Sequence, residues 1–247
     1  MSFSTFTASA PKRRKHRPIK HARPSLDSLV SNARQELAQN DWSAGTKHLL
    51  QEALKRLGSF TNDSTGVHIL CLGLGSPNAS VNARMQLALL LDICDALSIK
   101  PSQVSIYDPV FSEEDLEFLK RLEFDLLSEA SKVPAPETHV ISTFPTILYM
   151  PHCDREVYES VLRSNWTPRG LSEVILLANR LMDYVENQPE RRLQAESPHL
   201  LNLAPCLECT LLPEFKPHST AFNNLAIQRI PLPVAQDVCT RKFAQEA

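Results

Sequence analysis

The sequence predicts an α/β fold in which helices cover both faces of a mainly parallel sheet, a three-layer sandwich preceded by an N-terminal helical extension. Three observations carry the prediction. Short apolar runs at residues 67–72, 104–107, 146–150 and 174–178 have strand length and recur between longer segments of helical pattern. The first run enters a glycine turn, Gly73-Leu74-Gly75-Ser76-Pro77, that opens into an apolar-rich helix over residues 80–97. The chain has 247 residues, 43% of them hydrophobic and 22% charged, enough to bury one sizeable core.

Residues 1–24 read as a disordered basic tail. Lys12, Arg13, Arg14, Lys15, Arg17, Lys20 and Arg23 cluster there, no acid precedes Asp27, and Pro11, Pro18 and Pro24 interrupt any helix. Residues 11–18 look like a monopartite nuclear-import signal, which places the chain in nucleus and cytoplasm; a solvated tail and a mitochondrial presequence are the alternatives. Removing those seven charges from a net charge of −2 leaves about −9 for the remainder, so direct nucleic-acid binding is not expected. No apolar run approaches the roughly 20 residues of a membrane span, and the first ten residues lack a secretory apolar core. The cysteines at 71, 94, 153, 206, 209 and 239 are scattered, two of them inside apolar runs, which fits reduced thiols.

Residues 25–58 form a helical preface. Ser25 caps a helix carrying Leu26, Leu29, Val30, Ala33 and Leu37; residues 41–45 break it; Leu49, Leu50, Ala53, Leu54 and Leu57 give a second stripe that ends at Gly58. The α/β domain then spans residues 66–230. After the helix over 80–97, whose narrow polar face holds Arg84, Asp92 and Asp95, come a strand at 104–107 and a helix capped by Ser112. Residues 124–127 give a third strand, 128–143 a surface loop, and 146–150 a fourth strand halted by Pro151. A helix from Asp154, a fifth strand at 174–178 and a helical turn over 179–185 follow. From Gln188 the chain reads as irregular, with an edge strand within 222–230 and a mobile C-terminal tail over 231–247.

This alternation is Rossmann-like. With strand order 3-2-1-4-5, the residues just past strands one, two and four meet at the switch point. Gly73, Gly75 and Ser76, then Asp108, then His152 and Cys153 are therefore the candidate ligand-binding residues, with Asn179 at the margin. Backbone N–H groups of the glycine loop and a helix N-terminus suit a small anionic ligand, although two glycines also serve a plain βα turn. The dinucleotide pattern G-x-G-x-x-G is incomplete, because Asn78 stands where a third glycine belongs. Asp108 suits ribose hydroxyls or a turn before Pro109, and it lies farther from Gly73 than the usual spacing. His152-Cys153 offers an imidazole beside a thiol, without a third orienting residue, so no catalytic residue is assigned. Cys206-Leu207-Glu208-Cys209 has metal spacing but is a single pair, and no metal site is assigned.

Several segments resemble, in their order, the SRR-like family, named for a plant "sensitivity to red light reduced" protein. They are Leu72-Gly73-Leu74-Gly75-Ser76, Gln86-Leu87-Ala88-Leu89-Leu90, Tyr107-Asp108-Pro109-Val110-Phe111, Tyr149-Met150-Pro151-His152-Cys153, Asn165-Trp166 and Phe222-Asn223-Asn224. A proline-bearing insert over residues 131–144 departs from the family. The resemblance implies a regulatory protein with protein partners, linked to light signalling and circadian rhythm in plants, haem biosynthesis and clock regulation in animals, and microtubule stability in yeast. It identifies no cofactor and favours a protein that is not an enzyme. A nucleotide- or S-adenosylmethionine-dependent enzyme is the alternative, and a haem-responsive binder using His152 and Cys153 as axial ligands is a third reading.

Overall fold

The computed structural model describes residues 24–58, 60, 66–127, 140–141 and 145–241. The basic tail, but for Pro24, and residues 131–144, but for Val140 and Ile141, lie outside the described residues.

Helix α1 (Leu26–Ala38) starts at Ser25, whose hydroxyl accepts from the Ser28 N–H. It buries Leu26, Val30, Ala33 and Leu37, the three-and-four spacing read from the sequence. Helix α2 (Asp41–Leu54) begins where a longer break was expected. Only Gln39 and Asn40 separate the helices, and Gly45 lies inside α2 with open space around it, so its cost is entropic alone. Asp92 and Asp95, read as part of the narrow polar face of the helix over 80–97, dock α1: Arg34 donates to Asp92 at 2.9 Å and to Asp95 at 2.5 Å.

Strand β1 (His68–Leu72) leads through the glycine loop into α3 (Val81–Leu97), capped by Ser80, and then to β2 (Val104–Tyr107). Helix α4 (Glu113–Arg121) connects β2 to the two-residue β3 (Asp125–Leu126). Strand β4 (Thr146–Met150) is followed by α5 (Arg155–Ser164), α6 (Pro168–Ser172), β5 (Val174–Asn179) and α7 (Met182–Asn187). The segment from Gln188, expected to be irregular, holds α8 (Glu190–Glu196), α9 (Pro198–Leu203) and β6 (Glu208–Leu211). Both helices are only six or seven residues long and open after or at a proline, whose fixed φ suits a first helical turn. Strand β7 (Leu225–Arg229) and α10 (Leu232–Thr240) complete the chain. Helix α10 lies in the stretch read as a mobile tail: Ala235 and Val238 are fully buried on the same core as Leu171 of α6.

The sheet order is β3-β2-β1-β4-β5-β7-β6. The first five strands are parallel, as expected, and β7 runs antiparallel to both neighbours. The late strand is therefore interior, and β6 forms the edge. Its four residues are all exposed, which left no apolar signal to read. Along the central strands alternate residues enter opposite cores. Ile69, Cys71, Ile147, Tyr149, Ile175 and Leu177 pack under α1 to α4. Leu70, Leu72, Leu148, Met150, Leu176 and Ala178 pack under α5, α6, α9 and α10. Each fully buried leucine contributes about 1.5–3 kcal/mol, so both faces are strongly tied to the sheet. Among the described residues no helix is long and apolar enough to cross a membrane.

Candidate functional site

The chain leaves β1 toward β2, while β4 lies on the other side of β1. The carboxyl ends of these three strands thus frame a crevice. It is a cavity of about 740 Å³, within the range of small-molecule sites. Gly73, Gly75, Asp108, His152 and Cys153 line it, bringing together five of the six residues singled out in the sequence. Ser76 and Asn179 are not in the lining: the Ser76 hydroxyl donates to Asp115 at 2.5 Å, and Asn179 donates its N–H to the Tyr158 hydroxyl at 3.3 Å.

Both loop glycines hold positive φ, +68° at Gly73 and +75° at Gly75. Gly73 is also a close approach, since a Cβ there would sit 2.4 Å from the Cys153 sulfur. The loop is fixed by two aspartates. Asp108, just past β2, accepts from the Gly75 N–H at 2.7 Å and from the Val110 N–H at 2.9 Å. Asp115, in the first turn of α4, accepts from the Ser76 hydroxyl, the Asn78 N–H at 2.8 Å, and both the N–H and hydroxyl of Ser112. Ser112 and Asp115 form a capping box, so the helix start that Ser112 announced also anchors the glycine loop.

These bonds alter the chemistry expected of the loop. The Gly75 N–H, a natural donor to a bound anion, already holds a carboxylate of the chain itself. Asp108 is 8% exposed. Its two bonds leave lone pairs on both oxygens, because a carboxylate accepts about four hydrogen bonds. The charged residues among the described lining are Asp108 and Asp154; no lysine or arginine contributes. Tyr107, Leu127, Leu72, Leu74, Ala83 and Val157 give the cavity apolar walls.

Cys153 does not present a nucleophile. Its thiol donates to the Leu72 carbonyl at 3.2 Å, and burial, with smaller contributions from Asp108 and Asp154, pushes its pKa far above the ordinary thiol value. The protonated sulfur faces β1, so it is not placed as an axial ligand either. Its neighbour His152 is exposed and reaches the Thr220 carbonyl through Nε2 at 3.2 Å. A carbonyl only accepts, so Nε2 carries the hydrogen in this contact. The turn is braced from behind: the Tyr184 hydroxyl donates to the Cys153 carbonyl at 3.1 Å and the Tyr158 hydroxyl to the Met150 carbonyl at 2.7 Å. Burial raises the Tyr184 pKa to about 12. The Cys206 thiol lies 3.6 Å from the Asn202 carbonyl and Cys209 is exposed on β6; among the described residues no group of three or more His, Cys, Asp or Glu is placed to hold a metal ion.

Sequence reasoning missed Asp115, Gln86 and Tyr184. Gln86 is buried on α3, lines the cavity and donates through its amide nitrogen to the Ala221 carbonyl at 2.8 Å. Its backbone carbonyl accepts from the Tyr149 hydroxyl at 2.9 Å, which ties α3 to β4. The S-x-x-D spacing of Ser112 and Asp115 was the one available signal, but it reads as a cap, not as a loop anchor. The Asn165-Trp166 pair has a structural role. Asn165 ends α5, donates to the Val161 carbonyl and accepts from the Ile141 N–H at 2.7 Å, tying down the chain before β4.

Fold and site together define an α/β domain with a small-molecule-sized cavity at the carboxyl ends of its central parallel strands. Residues 46–229 match a family model described as "SRR1 domain", most of the chain, so the chain belongs to the SRR1 family. That match begins within α2, earlier than the domain start at residue 66 read from the sequence. The chain is 30% identical over 143 residues to a mouse (Mus musculus) SRR1-like protein, covering 58% of this chain and 56% of the relative. A Drosophila melanogaster SRR1-like protein is 25% identical over 216 residues, 86% of this chain and 70% of the relative. The Arabidopsis thaliana protein named SENSITIVITY TO RED LIGHT REDUCED 1 is 25% identical over 122 residues, 49% of this chain and 42% of the relative. The chain thus spans about half the length of the mouse and plant relatives it matches. No solved structure matches it.

Proposed function

We propose that this chain is a regulatory protein with a Rossmann-like core, working in nucleus and cytoplasm through protein partners and through a small molecule held in the cavity. The observation that carries this reading is the pairing of a preformed cavity with a thiol that is protonated and turned into the core. A binding site needs shape and a few polar atoms. Covalent catalysis needs an activated nucleophile, and Cys153 is the reverse of one. The name of the plant relative supports a link to light signalling; the haem and microtubule associations of the family come to this chain by resemblance alone.

The test compares the purified full chain with Cys153→Ala and with Ala83→Trp, which fills the cavity. The reading expects partner binding and cellular output to survive Cys153→Ala and to change with Ala83→Trp. Turnover of a metabolite that Cys153→Ala abolishes, in a variant whose melting temperature is retained, would overturn it. The nuclear part is tested separately by deleting residues 11–18 from a fluorescently tagged chain. Loss of nuclear signal is expected; an unchanged distribution reduces the segment to a solvated tail.

A further inference from the structure

We infer that the cavity takes a nucleoside bearing a cationic sulfonium and no phosphate, the chemical class of S-adenosylmethionine. This deepens the small-molecule reading above and rests on it.

Charge gives the first part of the argument. A phosphate-bearing cofactor needs donors or cations at the glycine loop. Here the Gly75 N–H is held by the Asp108 carboxylate at 2.7 Å, and the described lining brings Asp108 and Asp154 with no lysine or arginine. A phosphate would meet like charge. A sulfonium would meet opposite charge, and a carboxylate within a few ångströms attracts a cation at any dielectric.

Hydrogen bonding gives the second part. Asp108 is 8% exposed, lines the cavity, and spends one lone pair of each oxygen on the Gly75 and Val110 N–H groups. The remaining lone pair on each oxygen forms a fork matched to a cis-diol. A ribose supplies two adjacent O–H donors, and an acid at the end of a second strand suits them. Tyr107 and Leu127, at the ends of β2 and β3, add apolar wall beside that fork where a base can lie. The position of Asp108 is fixed by backbone groups, so the fork is preorganised before ligand arrives.

The test is isothermal calorimetry on the full chain with S-adenosylmethionine, its neutral sulfide analogue S-adenosylhomocysteine, ATP and NAD. Binding of both adenosyl ligands, the sulfonium and its sulfide analogue, with ATP and NAD at least a hundredfold weaker, is the expected result. Asp108→Asn should weaken both adenosyl ligands at least tenfold, by removing a charged acceptor. Asp108 also latches the glycine loop, so a second variant avoids that risk. Asp154 is exposed and makes no side-chain cap bond to α5, and Asp154→Lys should weaken S-adenosylmethionine about fivefold while moving the sulfide analogue less than twofold. Tighter binding of ATP or NAD than of S-adenosylmethionine overturns the inference and leaves the cavity as a ligand site of another class. Heat from none of the four overturns it as well, and the cavity reading then rests on the Ala83→Trp comparison. Equal effects of Asp154→Lys on both adenosyl ligands remove the sulfonium from the claim.

Discussion

Two aspartates flank the glycine loop, and their differences separate construction from recognition. Asp115 is fully buried, and four groups of the chain donate to it. Nothing remains for a ligand. Asp108 lies just past β2, holds two backbone N–H groups and lines the cavity, with acceptor capacity to spare on its carboxylate. The same residue type, a few ångströms from the same loop, is saturated in one place and half-used in the other. Counting acceptors against donors distinguishes them where residue identity does not.

The largest expected effect belongs to the saturated partner. Asp115→Ala strands the Ser76 hydroxyl and the Asn78 N–H and removes the α4 capping box, and should cost about 3–4 kcal/mol. For a chain of this size that lowers the melting temperature by about 10 °C. A cost below about 1 kcal/mol in urea unfolding would erase the contrast. Next, Gly73→Ala imposes positive φ on a side chain and drives its Cβ to 2.4 Å from the Cys153 sulfur, for about 3 kcal/mol. Combining it with Cys153→Ala should return about 1 kcal/mol of that, since the sulfur is the nearest obstacle and the Cys153 Cα and His152 carbonyl remain at 3.3 Å. Strict additivity would mean the loop moves aside instead. Asp108→Asn should cost only about 1–2 kcal/mol, because one loop N–H keeps an acceptor.

These anchors show what the sequence could and could not disclose. The parallel order β3-β2-β1-β4-β5 was legible because its strands are apolar runs separated by helical pattern, and the cleft followed from where those strands end. Asp115 was not, since it meets Ser76 and Asn78 across 39 and 37 residues of chain and its only local sign is a helix cap. The loop N–H expected to greet an anion was already satisfied by Asp108, 33 residues away. Strand β6 was hidden by exposure, and α8, α9 and α10 by their prolines, which suggest irregular chain until one allows for proline in a first helical turn. Local pattern reveals elements; bonds between distant residues decide which polar atoms remain available.

The smallest effect concerns the thiols and sharpens the contrast between buried and exposed sulfur. Burial, then the Asp95 charge, raises the Cys94 pKa from 9.0 to about 12, and Cys71 and Cys153 shift in the same direction. The folded state therefore holds protons that the unfolded chain releases. That stability is complete below pH 9 and is lost as pH rises from 9 toward about 12. Alkaline unfolding followed by circular dichroism should fall in that window. At pH 8 a thiol reagent should label Cys209, which is exposed, and spare Cys71, Cys94 and Cys153 until denaturant is added. Rapid native labelling of Cys153 would contradict its placement against the Leu72 carbonyl.

The central claim is that the cavity binds a small molecule through the unspent half of Asp108. Its most direct test is the melting temperature of wild type, Asp108→Asn and Ser76→Ala, with and without S-adenosylmethionine. Ser76→Ala disturbs the Asp115 side of the loop and leaves the lining intact. A ligand at about a hundred times its Kd stabilises by about 2.7 kcal/mol, a rise of roughly 5–10 °C for a chain of this size. The account predicts that rise in wild type and Ser76→Ala and its loss in Asp108→Asn. An equal rise in all three, or in none, would contradict it.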